Sequence, residues 1–507
     1  MSSLALLLAR GLLAQSAPPA PAADLGVDPV TLLQWREACR IVSEHEDEIW
    51  PGYRLGEIPA LMLRPGVAEV LLRHPRPPSG YVPHLGGSPL DGELLLVRRG
   101  ATLFDVGMDT SVDLNGVRTL VVTDRGARGG ADDAWCLAVQ VHEGFHAFAA
   151  RHLRMPGMSE LDLADYPDLD AERNARLHLE GSALERALLA EGADEVEEAA
   201  LAFLAERSRR RAGMAEAVVR FEDGNEWNEG LATYAEWRAL ELWARHGVAA
   251  DVLAACPGLR FPESLVHRAD QLRIQLGHSA RGTLSINGSP FGPAAVRRRG
   301  YFFGAAIGRL LDRFRPGWKA EAAQARPLTA LLFEALGEPS DRELGERADA
   351  LEREAGLAAL TGEKRANAAA AAREREQRIA AVLAGAGTLL RIDVAALAPS
   401  GSLAPSSYTP FGILAAGERR RLFSMSPTDF SIGPAKVTAS ASPGVIVDEA
   451  RRELLVRSPI GREELVAALS RWRGRHDDPA VAILAPAAEC AREDDGSVRL
   501  RLLAVRR

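Results

Sequence analysis

Two histidines and a glutamate stand in the spacing His-Glu-x-x-His. The segment reads HEGFH, with His142 and His146 four residues apart and Glu143 directly after the first histidine. Residues four apart share one face of a helix, so both imidazoles can reach one ion. Zinc favours nitrogen ligands, and a catalytic zinc site has three protein ligands and one open position. The segment therefore predicts a site for Zn²⁺ in which Glu143 is the general base.

The residues around this segment indicate a helix. Leu137, Val141, Phe145 and Phe148 form an apolar stripe with helical spacing, which leaves the two histidines and the glutamate on another face. The pair at 132–133, both aspartates, offers an N-cap for this helix. We therefore expect the helix to pack its apolar stripe on a core and to turn the histidines towards a site.

The third metal ligand has three alternatives. Glu229 lies in the segment WNEGLATYAEW and Glu180 in the segment LHLEGSAL, and both segments are expected to be helical. His152 is the remaining alternative, because HEGFHAFAARH nearly fits the metzincin pattern H-E-x-x-H-x-x-G-x-x-H. That pattern needs a glycine where this chain has Ala149, a strong helix former. We therefore expect the helix to continue and to carry His152 away from the other two histidines.

The order of HEGFH and WNEGLATYAEW resembles the gluzincin metallopeptidases, particularly their aminopeptidase branch. In that family, a Glu in an N-E-G-x-A-x-Y segment on a second helix completes the zinc site. The resemblance implies a zincin-like catalytic domain in which His142, His146 and Glu229 bind Zn²⁺ and Glu143 is the general base. It covers two short segments, and Glu229 follows His146 by 229 − 146 = 83 residues, much further than in those aminopeptidases. This separation leaves Glu180 open as the alternative third ligand.

A tyrosine is the expected donor to the oxyanion of the tetrahedral intermediate. The related aminopeptidases use one that follows the glutamate ligand, near a glycine on a helix. The segment RGYFFG is similar to that element, and the similarity implies this role for Tyr301. Aromatic packing at a helix start is an equal alternative for Tyr301, and Tyr234 is a weaker alternative as donor. Carboxylates that could orient the ligating histidines are Glu222, Glu226, Glu236, Asp170 and Glu172.

The predicted function is zinc-dependent hydrolysis of a peptide or other amide bond, with a peptide or protein as substrate. The aminopeptidase branch recognises a free N-terminus through a strand before the zinc helix that carries a characteristic glutamate. This chain has DLNGVR (113–118) there and lacks that glutamate, so an endopeptidase is an equal alternative. A different class of function is a zincin-fold protein without catalysis that serves as a binding or structural module at the cell envelope. A purely structural zinc site would need a fourth protein ligand.

The chain length, the net charge and the spacing of the cysteines further restrict the classes of protein to which this chain can belong. A chain of 507 residues is expected to form two or three domains. The net charge of −8 does not indicate a nucleic-acid partner. The basic runs at 209–211, 297–299 and 419–421 stand among acidic neighbours and are expected on solvated faces. The four cysteines lie far apart without a C-x-x-C pair, which excludes a cysteine-rich zinc module.

The expected fold class is α+β and mostly helical, with a small N-terminal sheet and a β-containing C-terminal domain. We expect a signal peptide or leader at 1–23, although Arg10 interrupts its apolar run, and hence a secreted or periplasmic protein, with a cytoplasmic one as the alternative. An N-terminal α/β part is expected at 24–130, a helical zincin-like catalytic domain at 131–386 and the C-terminal domain at 387–507. No later stretch is long and apolar enough to predict a transmembrane helix. The strands expected before the zinc helix are 60–63, 69–72, 93–97 and 118–122, and those expected near the C-terminus are 445–447, 453–456 and 498–505.

Overall fold

A computed structural model describes residues 25–503, apart from 87–89, 91, 101, 105, 130–131, 286–288, 401–402, 409–412, 417–419, 425–426, 441 and 443. The leader expected at 1–23 lies outside the described residues. The described chain is a mixed α/β structure with helices and three sheets, which confirms the coarser part of the expected fold class. None of the described helices is both long and apolar enough to cross a membrane.

The helices run in the order α1 (Pro29–Glu44), α2 (Glu46–Ile49), α3 (Asp133–His152), α4 (Ala171–Leu189), α5 (Ala193–Arg211), α6 (Glu216–His246), α7 (Ala250–Ala255), α8 (Pro262–Arg281), α9 (Pro293–Phe314), α10 (Trp318–Ala322), α11 (Leu328–Ala335), α12 (Asp341–Ala355), α13 (Leu357–Ala384) and α14 (Arg462–Ser470). The strands are β1 (Ala60–Arg64), β2 (Ala68–Leu72), β3 (Val82–Pro83), β4 (Leu95–Arg99), β5 (Thr110–Leu114), β6 (Val117–Thr123), β7 (Thr388–Asp393), β8 (Ile413–Ala416), β9 (Arg420–Phe423), β10 (Thr428–Ile432), β11 (Ala435–Ala439), β12 (Val445–Asp448), β13 (Glu453–Ser458), β14 (Arg475–Asp477), β15 (Val481–Leu484), β16 (Ala488–Arg492) and β17 (Val498–Leu502).

The chain divides into two compact units. Unit 1 comprises Met1–His152 and Arg238–Arg268, and unit 2 comprises Leu153–Trp237 and Ala269–Arg507. Unit 1 contains a sheet of order β3-β4-β2-β1-β6-β5, in which only the β1–β6 pair is parallel. The helix α3 follows β6, packs on β6 and β5, and also contacts α1. The four strands expected before the zinc helix are confirmed as β1, β2, β4 and β6.

Unit 2 combines a helical part with two C-terminal sheets. The helices α4 and α5 pack together, and α9 packs on α4 and α11. The larger sheet has the order β16-β17-β7-β13-β12-β9-β8 and the smaller one β10-β11-β15-β14. Their buried apolar side chains form one core, which includes Leu390, Val437, Val447 and Leu500. The strands expected at 445–447, 453–456 and 498–505 are β12, β13 and β17.

The expectation that the basic runs lie on solvated faces is wrong for Arg210 and Arg299, which are buried. Arg210 is only 3% exposed and binds Glu180 through its Nε, 2.5 Å from the Oε2 atom. Arg299 is buried as well, and Arg421 pairs with Glu449 at 2.6 Å. The acidic partners come from other elements of the fold. Sequence neighbours alone could therefore not show that these guanidinium groups are neutralised inside the protein.

Candidate functional site

The helix α3 presents the predicted histidine pair from a well-packed support. The carboxylate of Asp132 accepts a hydrogen bond from the Ala134 amide at 2.9 Å, which caps the helix as expected. The apolar stripe is buried: Val141 and Phe145 are 0% exposed. His142 is buried, whereas Glu143 and His146 are partly exposed. The face that carries the histidines therefore remains accessible, while the opposite face anchors the helix.

The two imidazoles point at one place. The Nε2 atoms of His142 and His146 lie 3.3 Å apart, and the two rings are inclined by 73°. Two nitrogens bound to one zinc ion at about 2.05 Å in tetrahedral geometry lie about 3.3 Å apart. The same separation also suits a hydrogen bond from one ring to the other. The separation of the two Nε2 atoms thus fits a shared zinc ion.

Tyr53, which was not among the predicted residues, supports the helix α3 through a hydrogen bond. Its hydroxyl donates a hydrogen bond of 2.8 Å to the carbonyl oxygen of Val141. Burial, with smaller contributions from Cys39 and Glu143, raises the pKa of Tyr53 well above its ordinary value, so the hydroxyl stays protonated. A Cβ atom at Gly144 would overlap Leu55 and lie 2.6 Å from the Tyr53 hydroxyl. The glycine of HEGFH therefore makes room for this contact.

His152 does not join the pair within unit 1. The helix runs without interruption through Ala149 to His152, as its helix-forming residues predicted. The ring of His152 is exposed and stacks on Phe148 with 5.0 Å between the ring centroids. The chain turn that a metzincin arrangement needs is absent from this helix.

Glycines set the packing of the helix α6, which carries Glu229, against α9. A Cβ atom at Gly230 would lie 2.5 Å from the Cα atom of Gly304 and 2.9 Å from the carbonyl oxygen of Gly300. The side chain of Asn225 donates a hydrogen bond of 2.7 Å to the carbonyl oxygen of Arg297. The motif glycines of NEG and RGYFFG therefore bring the two helix backbones into close contact.

This contact places Glu229 of α6 beside Arg297 and Tyr301 of α9. Arg297 donates from Nη2 to Glu229 at 2.6 Å, from Nη1 to the Tyr301 hydroxyl at 2.9 Å and from Nε to Glu160 at 2.9 Å. Tyr301 also shares a hydrogen bond with Glu229, and burial together with that carboxylate raises the pKa of Tyr301 above its ordinary value. The structure thus brings Glu229 and Tyr301 together. Arg297, which the sequence had assigned to a solvated run, is the group that joins them.

Glu180 lies in a different environment. It is 0% exposed and accepts hydrogen bonds from Arg207 Nε at 2.7 Å and from Arg210 Nε at 2.5 Å. Burial alone would raise its pKa, but Arg210 and Arg207 hold the pKa of Glu180 below its ordinary value. The same guanidinium groups bind Glu222 and Glu226. The three carboxylates therefore share a buried cluster with arginines, and a metal ion at Glu180 would have to displace two of them.

Tyr234, Asp170 and Glu172, which the sequence had also suggested, form hydrogen bonds or an ion pair within the helical part. Tyr234 is 0% exposed and donates to Asp312 at 2.8 Å. Asp170 caps α4 through the Arg173 amide at 3.0 Å. Glu172 is exposed and pairs with Arg176 on the same helix at 3.0 Å.

No protein-family model, no curated protein and no solved structure matches this chain. The assignment of a function therefore depends on the side chains and their geometry.

Proposed function

We propose that the protein is a zinc-dependent metallopeptidase with a gluzincin-like, zincin-type catalytic site. The observation that carries this proposal is the separation of 3.3 Å between the Nε2 atoms of His142 and His146, which equals the spacing of two nitrogen ligands on one zinc ion. The position of Glu143 next to the first histidine, on a partly exposed helix face, adds the base that hydrolysis needs.

Glu229 is the proposed third ligand. The segment WNEGLATYAEW resembles the gluzincin segment in which the glutamate at this position completes the zinc site. The alternative, Glu180, is engaged by two buried arginines, so it is a poor donor for a metal ion. A set of two imidazoles and one carboxylate is the donor set that zinc takes in many hydrolases.

The proposed chemistry divides among the chain's own residues. A bound zinc ion would supply Lewis-acid activation of a water molecule and of the scissile carbonyl. Glu143 would take the proton of the attacking water and deliver it to the leaving amine. The hydroxyl of Tyr301 would donate to the oxyanion in exchange for its hydrogen bond with Glu229, while Arg297 continues to donate to its oxygen at 2.9 Å.

The substrate is proposed to be an extended peptide. The strand β5 is an edge of the unit 1 sheet and contacts α3. An edge strand can pair with an extended chain through main-chain hydrogen bonds, independently of the substrate's terminus. The segment at 113–118 forms the hairpin between β5 and β6, with Leu114 opposite Val117. This arrangement favours endopeptidase activity over recognition of a free N-terminus.

The test combines metal analysis with cleavage of a peptide library by the full chain. Wild type should contain zinc and cleave peptides, and Glu143→Gln should keep the zinc and lose cleavage by at least about a hundredfold. His142→Ala should lose one equivalent of zinc together with the activity, whereas the matched control His152→Ala, on the same helix, should keep both. Stoichiometric zinc without cleavage by wild type would refute the peptidase proposal. Equal metal content in His142→Ala and wild type would refute the metal site itself.

A further inference from the structure

A second group of metal-ligating side chains lies within unit 1. His45, Glu48 and His246 each offer one ligand atom, and these atoms lie within 4.8 Å of one another. His45 Nδ1 is 2.9 Å from Glu48 Oε1. The rings of His45 and His246 stack with their centroids 4.4 Å apart. The group shares no residue with the proposed zinc site.

The three residues lie at or near the ends of helices. His45 lies between α1 and α2 with non-helical torsions (φ −129°, ψ 34°), and Glu48 follows it in the short helix α2. His246 is the last residue of α6 and is followed by Gly247, whose φ of +84° ends the helix. Arg40 of α1 donates to the Gly247 carbonyl oxygen at 3.0 Å. This bond links the two helix ends, so the donors are brought together before any ligand binds.

Glu48 also interacts with two arginines. Its Oε2 atom lies 3.4 Å from Arg238 Nη2 and 3.3 Å from Arg245 Nη1. Burial would raise the pKa of Glu48, but the hydrogen bond from His45 and the charges of Arg245 and Arg238 hold it below its ordinary value. Ion pairs of partly exposed side chains contribute little to stability, so a divalent ion that binds two imidazoles as well can displace them.

We propose that His45, Glu48 and His246 bind a divalent transition-metal ion such as Zn²⁺ or Ni²⁺ at a second site. Two imidazoles and one carboxylate suit such ions, whereas Mg²⁺ and Ca²⁺ prefer oxygen ligands throughout. The distance of 2.9 Å between His45 Nδ1 and Glu48 Oε1 is close to the separation of about 3.0 Å between adjacent ligand atoms that lie about 2.1 Å from one ion at a right angle. His246 is exposed, so water can fill the remaining coordination positions.

Binding at this site would stabilise the folded protein. The site joins residues that are 246 − 45 = 201 positions apart in the sequence, and these are together only in the folded chain. An ion that binds the folded state and not the unfolded chain raises the melting temperature with its concentration. We therefore assign this site a structural role, in which the bound ion links the junction of α1 and α2 to the C-terminal end of α6.

The experiment uses the untagged full chain, because a polyhistidine tag would itself bind Ni²⁺. Titration with Ni²⁺ followed by calorimetry gives the number of bound equivalents for wild type, His45→Gln and His246→Gln. The matched control is His267→Gln, which changes an exposed histidine outside both groups. We expect both site variants to bind one equivalent fewer, or to bind it at least tenfold more weakly, and to lose the rise in melting temperature. The control should match wild type.

Two results distinguish this second site from the proposed catalytic zinc site. Peptide cleavage should be unchanged in His246→Gln, and His142→Ala should retain the equivalent that His246→Gln loses. If His45→Gln or His246→Gln binds as many equivalents as wild type with the same affinity, the second site does not exist, whatever the cleavage assay shows. Circular dichroism of each variant checks that a lost equivalent does not come from unfolding.

Discussion

Glu206, on the helix α5, is a buried carboxyl group whose replacement by glutamine should stabilise the protein at neutral pH. Its side chain is 0% exposed, and within the described residues neither of its oxygens has a hydrogen-bond partner. Arg176 Nη1 comes no closer than 3.7 Å and is itself bound to Glu352. Burial, and next the charge of Glu352, raises the pKa of Glu206 from 4.5 to about 8. The folded protein therefore holds a neutral carboxyl group here at pH 7.

The sign and size of the effect follow from proton linkage. Above the unfolded pKa of 4.5 the unfolded chain releases this proton, whereas the folded chain keeps it up to about pH 8. The unfolded state thus binds fewer protons in this window, and the free energy of unfolding falls as the pH rises. Between pH 5 and pH 7 the two pKa values give a loss of about 2.5 kcal/mol from this group. Glutamine cannot ionise, so Glu206→Gln should lack this loss.

Urea unfolding at pH 5, 6 and 7, followed by tryptophan fluorescence, measures the difference in stability between Glu206→Gln and wild type. All other titrations are common to both proteins and cancel in that difference. We expect it to shift in favour of the variant by about 2.5 kcal/mol from pH 5 to pH 7. Glu197→Gln, an exposed change on the same helix, should show no such shift. A difference between Glu206→Gln and wild type that does not change with pH would refute the assignment of a protonated carboxyl group.

Two further predictions test the packing around the proposed catalytic residues. Gly304→Ala should lower the free energy of unfolding by about 1–3 kcal/mol, because the new Cβ atom would overlap the backbone of α6. Gly362→Ala, also within a helix but with nothing within 4 Å of the new atom, should instead raise it by about 0.5–1 kcal/mol in the same urea titration. Tyr53→Phe removes the buried hydrogen bond to Val141 and should cost about 1 kcal/mol. Zinc content measured alongside should stay at the wild-type value, and an unchanged urea midpoint would show that this hydroxyl does not hold α3.

Helices and strands were predictable from the sequence where a single local pattern of residues determines them. The buried strands β1, β2 and β6 are short apolar runs between turn residues, and α3 has both a cap and a regular apolar stripe. The strand β5 was missed, because only Val112 and Leu114 of Thr110–Leu114 are apolar and the other three residues are polar. The helix α6 begins at Glu216, well before the segment WNEGLATYAEW that was expected to be helical, because Gly224 weakened the helical pattern in between.

The site residues also differ in how far local sequence could predict their positions. The histidine pair was predictable, because two residues four apart on a helix meet whatever the rest of the chain does. The contact of Arg297 with Glu229 and Tyr301 was not, because it depends on how α6 and α9 pack. A signal was present in the spacing of glycines, since Gly300 and Gly304 lie four apart and so form one helix face. Such a face indicates close approach of another backbone, although it does not say which one.

The glycines within the motifs connect metal chemistry to packing. The proposed metal site uses two histidines and a carboxylate as ligands, and its chemistry does not require a glycine after Glu143 or after Glu229. In this protein Gly144 gives Tyr53 and Leu55 the room to press on α3, and Gly230 lets α6 meet Gly304. Each half of the proposed ligand set is thus held by contacts that exclude even one methyl group. Because the distances from ligand atoms to a metal ion vary by only about 0.2 Å, we expect these packing contacts to help hold the proposed ligands in position.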